Sequence, residues 1–429
     1  MIRSTTPAER SVKWLRRLQE MGLRYWMSAV IVLIVSVAGA GFVYDYLRLT
    51  SARAWLFEQL VALNPRPLEP RFVKVVLVRD DEYWTGYPAG RRPIKRDYLA
   101  QLVDKLASAN AQVIALDFDT RLPLPTSLEI PKDYERDYEK ETDELIRAIL
   151  RAANAGKKVV LAKIISWDTD AGYELEPDIY QPYGICTGID KDGRWENPGT
   201  PRFPATTQSR ENISCGYIAL PYDVLVVPSR LQLAGGGYLD SFALAVARAK
   251  LPEIVSAMIS RFGANLSYAN QIPEAQLEKY HVTYSARELF GGTSWKEELA
   301  SRAVIVGAHW SALAYQRGGL VDMHPTPAGS MVGAIVHANF VEALLDDRVV
   351  PGTPRWLPSV FEVVFGAIAA IFLALFSSFW GKLAGVVGLS LVLVLAQWAA
   401  LQGLGLFFDA FVPLFGLWLH SVYQRLVAR

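Results

Sequence analysis

The stretch "VIALDFDTRL" places two carboxylates, Asp117 and Asp119, at the end of an apolar run. In that arrangement one carboxylate can attack phosphorus while the other handles the leaving-group proton. Arg121 rather than a hydroxyl residue stands four positions after Asp117, and the sequence has no Gly-Asp dipeptide that could contribute to a metal loop. A metal-dependent hydrolase is therefore a weak alternative, and both aspartates are expected to accept N–H bonds within their loop. Asp80 and Asp81 close a second apolar run, "VKVVLVRDD". If both runs are strands of one sheet, the four carboxylates share the rim where open α/β sheets bind ligands, and a polar ligand or a cation could sit there.

A second cluster is His309, Asp322, His324 and His337. Imidazoles with one carboxylate can hold zinc, so His309 and His324 are weak metal candidates. His337 shares a helical face with Val341, Leu344 and Leu345, a core position where a histidine is held by hydrogen bonds. No His-Glu-x-x-His, phosphate-binding glycine loop or nucleophile elbow is present. Neither an enzyme nor a cofactor is expected.

The elements that would carry these residues follow from periodicity. "RFVKVVLVR" and "AQVIALD" read as buried strands, and between them Leu99, Leu102, Val103 and Leu106 fall on one helical face. A second helix has the stripe Leu145, Ile146, Ile149 and Leu150, stops at Gly156, and leads into a strand over Lys158 to Ile165. A helix near Asp240 to Lys250, strands at "HVTYS" and "RAVIVGA", and a helix at "GAIVHANFVEALLDD" complete the pattern. Alternating helices and continuously apolar strands predict an α/β fold with a mainly parallel sheet covered on both faces. Between Trp167 and Cys215 the pattern gives way to Asp, Gly, Pro and Tyr, an irregular excursion that needs an anchor. Cys186 and Cys215 bracket most of it, and an oxidising compartment would let them pair.

Half of the 429 residues are hydrophobic and a fifth are charged, so distribution decides between a soluble and a membrane protein. Tyr25 to Tyr44 is an uncharged apolar stretch long enough for a bilayer core of ~30 Å, and a transmembrane helix is expected over 25–46. Residues 357–424 divide at "SSFWGK" and "LQGLGL" into crossings at 357–380, 383–402 and 406–424. Four transmembrane helices result. Arg3, Arg10, Lys13, Arg16, Arg17 and Arg24 crowd the leader 1–24, which places both termini in the cytoplasm of a bacterial inner membrane and residues 47–356 in the periplasm. A net charge of +1 gives no field for nucleic acid. Gly381, Gly385 and Gly388 recur at helical spacing, a stripe that lets helices approach within the bundle or against a partner.

The succession "RDD", "RDYLAQLVDKLASANAQVIALD", "AVIVGA", "DMHPTPAG" and "GAIVHANFVEALL", between one membrane helix and a membrane triplet, resembles the second class of CHASE domains. These are extracytoplasmic sensory domains of bacterial histidine kinases and nucleotide cyclases. The resemblance covers about Phe72 to Leu345 and rests on Asp322, Thr326, Pro327, His337 and Asn339, with Gly216, Asp223 and Arg230 matching loosely. It implies a sensory or docking role toward an extracytoplasmic ligand. No counterpart of the family's output domain is expected after the last apolar segment. The expectation is therefore action through a separate membrane-protein partner, or service as a structural subunit of a membrane complex.

Overall fold

In a computed structural model, the described residues are in the main 70–121, 132–186, 207–220, 226–262, 277–311, 320–351 and 379–404, with short pieces between them. They fall into two compact units, Val61–Gly352 and a second made of Met1–Leu60 with Thr353–Arg429.

The larger unit is built on six parallel strands. They are β1 (Val73–Arg79), β2 (Val113–Leu116), β3 (Lys158–Lys163), β4 (Ile213–Tyr217), β5 (Thr283–Ser285) and β6 (Ala303–His309), in the spatial order β5-β1-β6-β2-β3-β4. The central strands are apolar along most of their length because both faces are covered, with charged residues such as Lys74, Arg79, Lys158 and Lys163 near their ends. Val76, Val78, Ile114, Leu116, Val159, Leu161, Val304 and Val306 enter one core cluster. The alternate residues Val75, Leu77, Val113, Val160 and Ile305 are just as buried, on the opposite face.

The first face is packed by α2 (Arg96–Ser108), α3 (Lys132–Asn154) and α7 (Trp295–Leu299). Leu99, Leu102, Val103 and Leu106 of α2 meet Leu145, Ile146 and Ile149 of α3 there, as their spacing requires. The second face is packed by α4 (Phe242–Lys250) and α8 (Gly333–Leu345), and α5 (Pro252–Phe262) packs against those two helices. Ser241 starts α4 by accepting a bond from the Leu244 N–H at 3.2 Å. Short helices α1 (Asp80–Thr85) and α6 (Glu288–Gly291) follow β1 and β5.

The described part of the excursion has regular structure that its composition does not suggest. Ile165–Asp168 and Gly172–Leu175 form a hairpin, and Ile179, Tyr180, Tyr183 and Ile185 are buried in the first-face core. Its far end, Ile213–Tyr217, is the sheet's edge strand. Cys215 in that strand is joined to Cys186, 29 residues away. A buried pair adds a second anchor: the Lys163 ammonium donates to Asp178 at 2.5 Å, and Asp178 also accepts from the Tyr180 N–H at 3.0 Å. Burial lowers the Lys163 pKa and raises that of Asp178, each opposed by attraction to the other.

In the smaller unit the helix α9 (Phe379–Leu404) is described. Leu389, Leu393, Gln397 and Leu401 form a buried stripe, while Val387, Leu391, Val392 and Leu395 are exposed. Among the described residues no helix is long and apolar enough to cross a membrane. The unbroken run of described side chains in α9 is 387–403. The spans expected at 25–46 and 406–424, and nearly all of 357–380, lie outside the described residues.

Candidate functional site

β1 runs into α1, whose first turn is Asp80, Asp81 and Glu82. These three neighbours have separate fates. Asp80 accepts from the Ser311 N–H and hydroxyl, both at 2.7 Å, and so ties the loop after β6 to the start of α1. Glu82 is buried, with its Oε1 accepting from the Tyr98 hydroxyl and its Oε2 from the Arg287 N–H at 3.0 Å. Burial raises the Glu82 pKa, and those two bonds oppose the rise. One carboxylate thus pins α1, α2 and the turn after β5 to one another.

A hollow of about 370 Å³ opens between those three segments. Its walls include Asp81, Tyr87, Tyr98, Arg287 and Phe290, with Glu82 below. It lies beyond the carboxyl ends of β1 and β5, adjacent parallel strands, where sheets of this kind take ligands. Tyr98 and Phe290 stack with ring centroids 5.7 Å apart. Tyr87 donates to Asp97 and carries the Lys95 ammonium 4.3 Å from its ring centroid. At the rim the chain must turn sharply out of α1, and a Cβ on Gly86 would lie 2.3 Å from the Glu82 carbonyl oxygen. Only glycine fits there.

The four expected rim carboxylates do not converge. β6 lies between β1 and β2, which sets the Asp80–Asp81 pair about 10 Å from the Asp117–Asp119 pair at two strand spacings. Asp117 is buried at the end of β2, and its pKa is pushed well above the usual value by burial and, less, by Asp322. Asp119 is exposed and paired with Arg121, its Oδ2 accepting from Nη2 at 2.6 Å. Among the described residues no group of acids, histidines and cysteines could hold a metal ion.

The histidine cluster is also divided. Asp322, at φ 59°, accepts the Gly333 N–H on its carbonyl at 2.9 Å. Its carboxylate lies 2.9 Å from His324 Nε2 and against Gly333, where a Cβ would meet Oδ2 at 2.1 Å. His337, in α8, is 1% exposed, hydrogen-bonds the Ile218 backbone and sits edge-on to Phe242. Burial lowers its pKa to about 4, and its Nδ1 has no partner among the described residues. Asn339 donates to the Ile335 carbonyl at 3.1 Å. Thr326 faces Gly329 in the hairpin before α8, His309 ends β6 opposite Arg79, and Pro327 lies outside the described residues.

A family model described as CHASE2 domain matches residues 29–378. The chain belongs to the CHASE2 family. It is thus a CHASE-type extracytoplasmic sensory domain. No curated protein and no solved structure matches it.

Within this CHASE2 chain the sequence pointed to Asp81 but missed Glu82, Tyr98, Arg287 and Phe290. Glu82 and Arg287 are 205 residues apart and meet only through the fold. The one available signal was the third acid in "RDDEYW". The glycine stripe is uneven. Gly385 is buried and Gly381 half-buried, while Gly388 is exposed, with nothing within 4 Å of a Cβ built there.

Proposed function

We propose that this CHASE2 chain is a membrane-anchored extracytoplasmic sensor that binds a small ligand in the hollow beyond β1 and β5 and passes its state to a separate membrane protein. The hollow carries the reading. It has the size of a small-ligand site, combines ring faces with a few polar groups, and is held open by a buried carboxylate that spends both oxygens on its walls. Binding is favoured over hydrolysis, since both Glu82 oxygens already accept a bond from the walls and Asp119 is held by Arg121.

The membrane part of the proposal rests on the apolar stretches 25–46 and 357–424 and on α9. A helix apolar on all sides, with Val387, Leu391, Val392 and Leu395 exposed at 55–64%, suits lipid or a neighbouring helix better than water. A periplasm-active reporter inserted after Asp192 should be active, and the same reporter after Arg429 silent. The reverse pattern would overturn the proposed topology. Purification in mild detergent should bring a membrane protein along with the chain. A lone monomer would remove the partner from the proposal.

A further inference from the structure

The ligand chemistry can be narrowed from the charges on the walls of the hollow, on the reading that it is a ligand site. Arg287 and Asp81 both line it and stand side by side, with Nη1 3.4 Å from Oδ2. Both side chains are largely exposed, at 76% and 59%. That contact is long and single, so among the described residues the remaining guanidinium N–H groups and Asp81 Oδ1 have no protein partner. Glu82 is buried and each of its oxygens already accepts a bond from a wall of the hollow, Tyr98 or the Arg287 N–H, so the open charges are Asp81 and Arg287. One cation and one anion are therefore open, side by side, in a hollow also lined by Phe290, 39% exposed, whose ring is backed by the buried ring of Tyr98.

A simple cation is disfavoured. A lone cation at Asp81 would meet the positive charge of Arg287, with the Lys95 and Lys105 ammonium groups close by at Tyr87 and Phe290. A simple anion meets Asp81. A molecule carrying both charges a few ångströms apart satisfies both walls at no net charge. Its apolar part would then cover the exposed part of Phe290, as complementary charge and apolar contact require.

We propose that the hollow binds a free α-amino acid with an apolar or aromatic side chain, its carboxylate on Arg287, its ammonium on Asp81 and its side chain against the exposed part of Phe290. A volume of about 370 Å³ admits one such molecule.

The test is calorimetric titration of the full-length protein in detergent with L-phenylalanine, phenethylamine and 3-phenylpropanoate. The two analogues lack the carboxylate and the ammonium respectively. L-Phenylalanine should bind saturably, and each analogue should bind about tenfold more weakly or worse, the loss of one charged hydrogen bond. Arg287→Ala should erase the preference for L-phenylalanine over phenethylamine, and Asp81→Ala the preference over 3-phenylpropanoate. Both changes are at exposed side chains and leave the Arg287 N–H bond to Glu82 in place, so both variants should fold. An analogue that binds as tightly as L-phenylalanine overturns the zwitterion and leaves the hollow a ligand site. No heat from any of the three also overturns it, while the reporter fusions decide the membrane-sensor reading separately.

Discussion

Two ion pairs stand beyond the carboxyl ends of the same sheet, and they differ in every physical respect. Lys163 and Asp178 are 2.5 Å apart with side chains 2% and 4% exposed. Asp81 and Arg287 are 3.4 Å apart and mostly in solvent. Burial obliges the first pair to be complete, because an unpaired charge there would lose hydration with nothing in return. Solvent relieves the second pair of that duty, and its spare donors and acceptor stay open to an incoming molecule. The contrast separates a latch from a mouth.

The largest expected effect comes from breaking the latch. Asp178→Ala strands the Lys163 ammonium in the core and should cost about 3–5 kcal/mol in urea unfolding. The double change Lys163→Met with Asp178→Leu should recover most of that loss, since a packed apolar pair avoids the desolvation cost. A loss below about 1 kcal/mol for Asp178→Ala would mean that water reaches the pair and that the contrast is one of degree.

The Cys186–Cys215 disulfide anchors the same excursion by a different route. It shortens the freedom of the unfolded chain across 29 residues, and its removal by Cys186→Ser with Cys215→Ser should cost about 3–4 kcal/mol. If the two anchors act on one segment, losses from the cysteine changes and from Asp178→Ala should fall short of additive.

His337 sharpens the comparison as a buried group without a counter-ion in contact. Its folded pKa, about 4, lies below the unfolded value, so the fold holds it neutral. That contribution is complete above the unfolded pKa of about 6.5 and is lost as pH falls from there through about 4. Asp322 and His324 are the charged neighbours that act on it, in opposite directions. Glu82, Asp117, Asp178 and Glu342 have raised pKa values and shift stability the other way on acidification, so the test is a difference. Wild type should lose roughly 3 kcal/mol relative to His337→Gln between about pH 7 and pH 4. Parallel curves would show that His337 does not titrate there.

Much of the fold was legible because it is local. The stripes of α2 and α3 and the apolar runs of β1 and β6 fall where periodicity put them, since each buries a face within its own segment. The edge strand Ile213–Tyr217 was not legible: it is short, contains Cys215 and Gly216, and does not alternate. Nor was the insertion of β6 between β1 and β2, a through-space fact that alone divides the four carboxylates. The rule about carboxyl ends of strands found Asp81. It could not find Arg287 or Phe290, which the fold brings back from the turn after β5, nor distinguish Asp178 from the other acids of an irregular stretch.

The smallest expected effect is on the mouth itself. An exposed, single-contact pair gains little from attraction that water and salt screen, and pays side-chain entropy to hold its geometry, so such pairs contribute about 0–1 kcal/mol. Arg287→Ala should shift stability by no more than about 0.5 kcal/mol, because the tie that matters for the wall is the Arg287 N–H to Glu82, which the substitution keeps. The Asp81–Arg287 coupling from a double-mutant cycle should fall further in high salt, whereas the Lys163–Asp178 coupling should hardly respond, being shielded from mobile ions. A loss of about 2 kcal/mol or more from Arg287→Ala would make the guanidinium a strut. Its donors would then already be committed to the fold, and the open pair beside the rings would have nothing to offer a ligand.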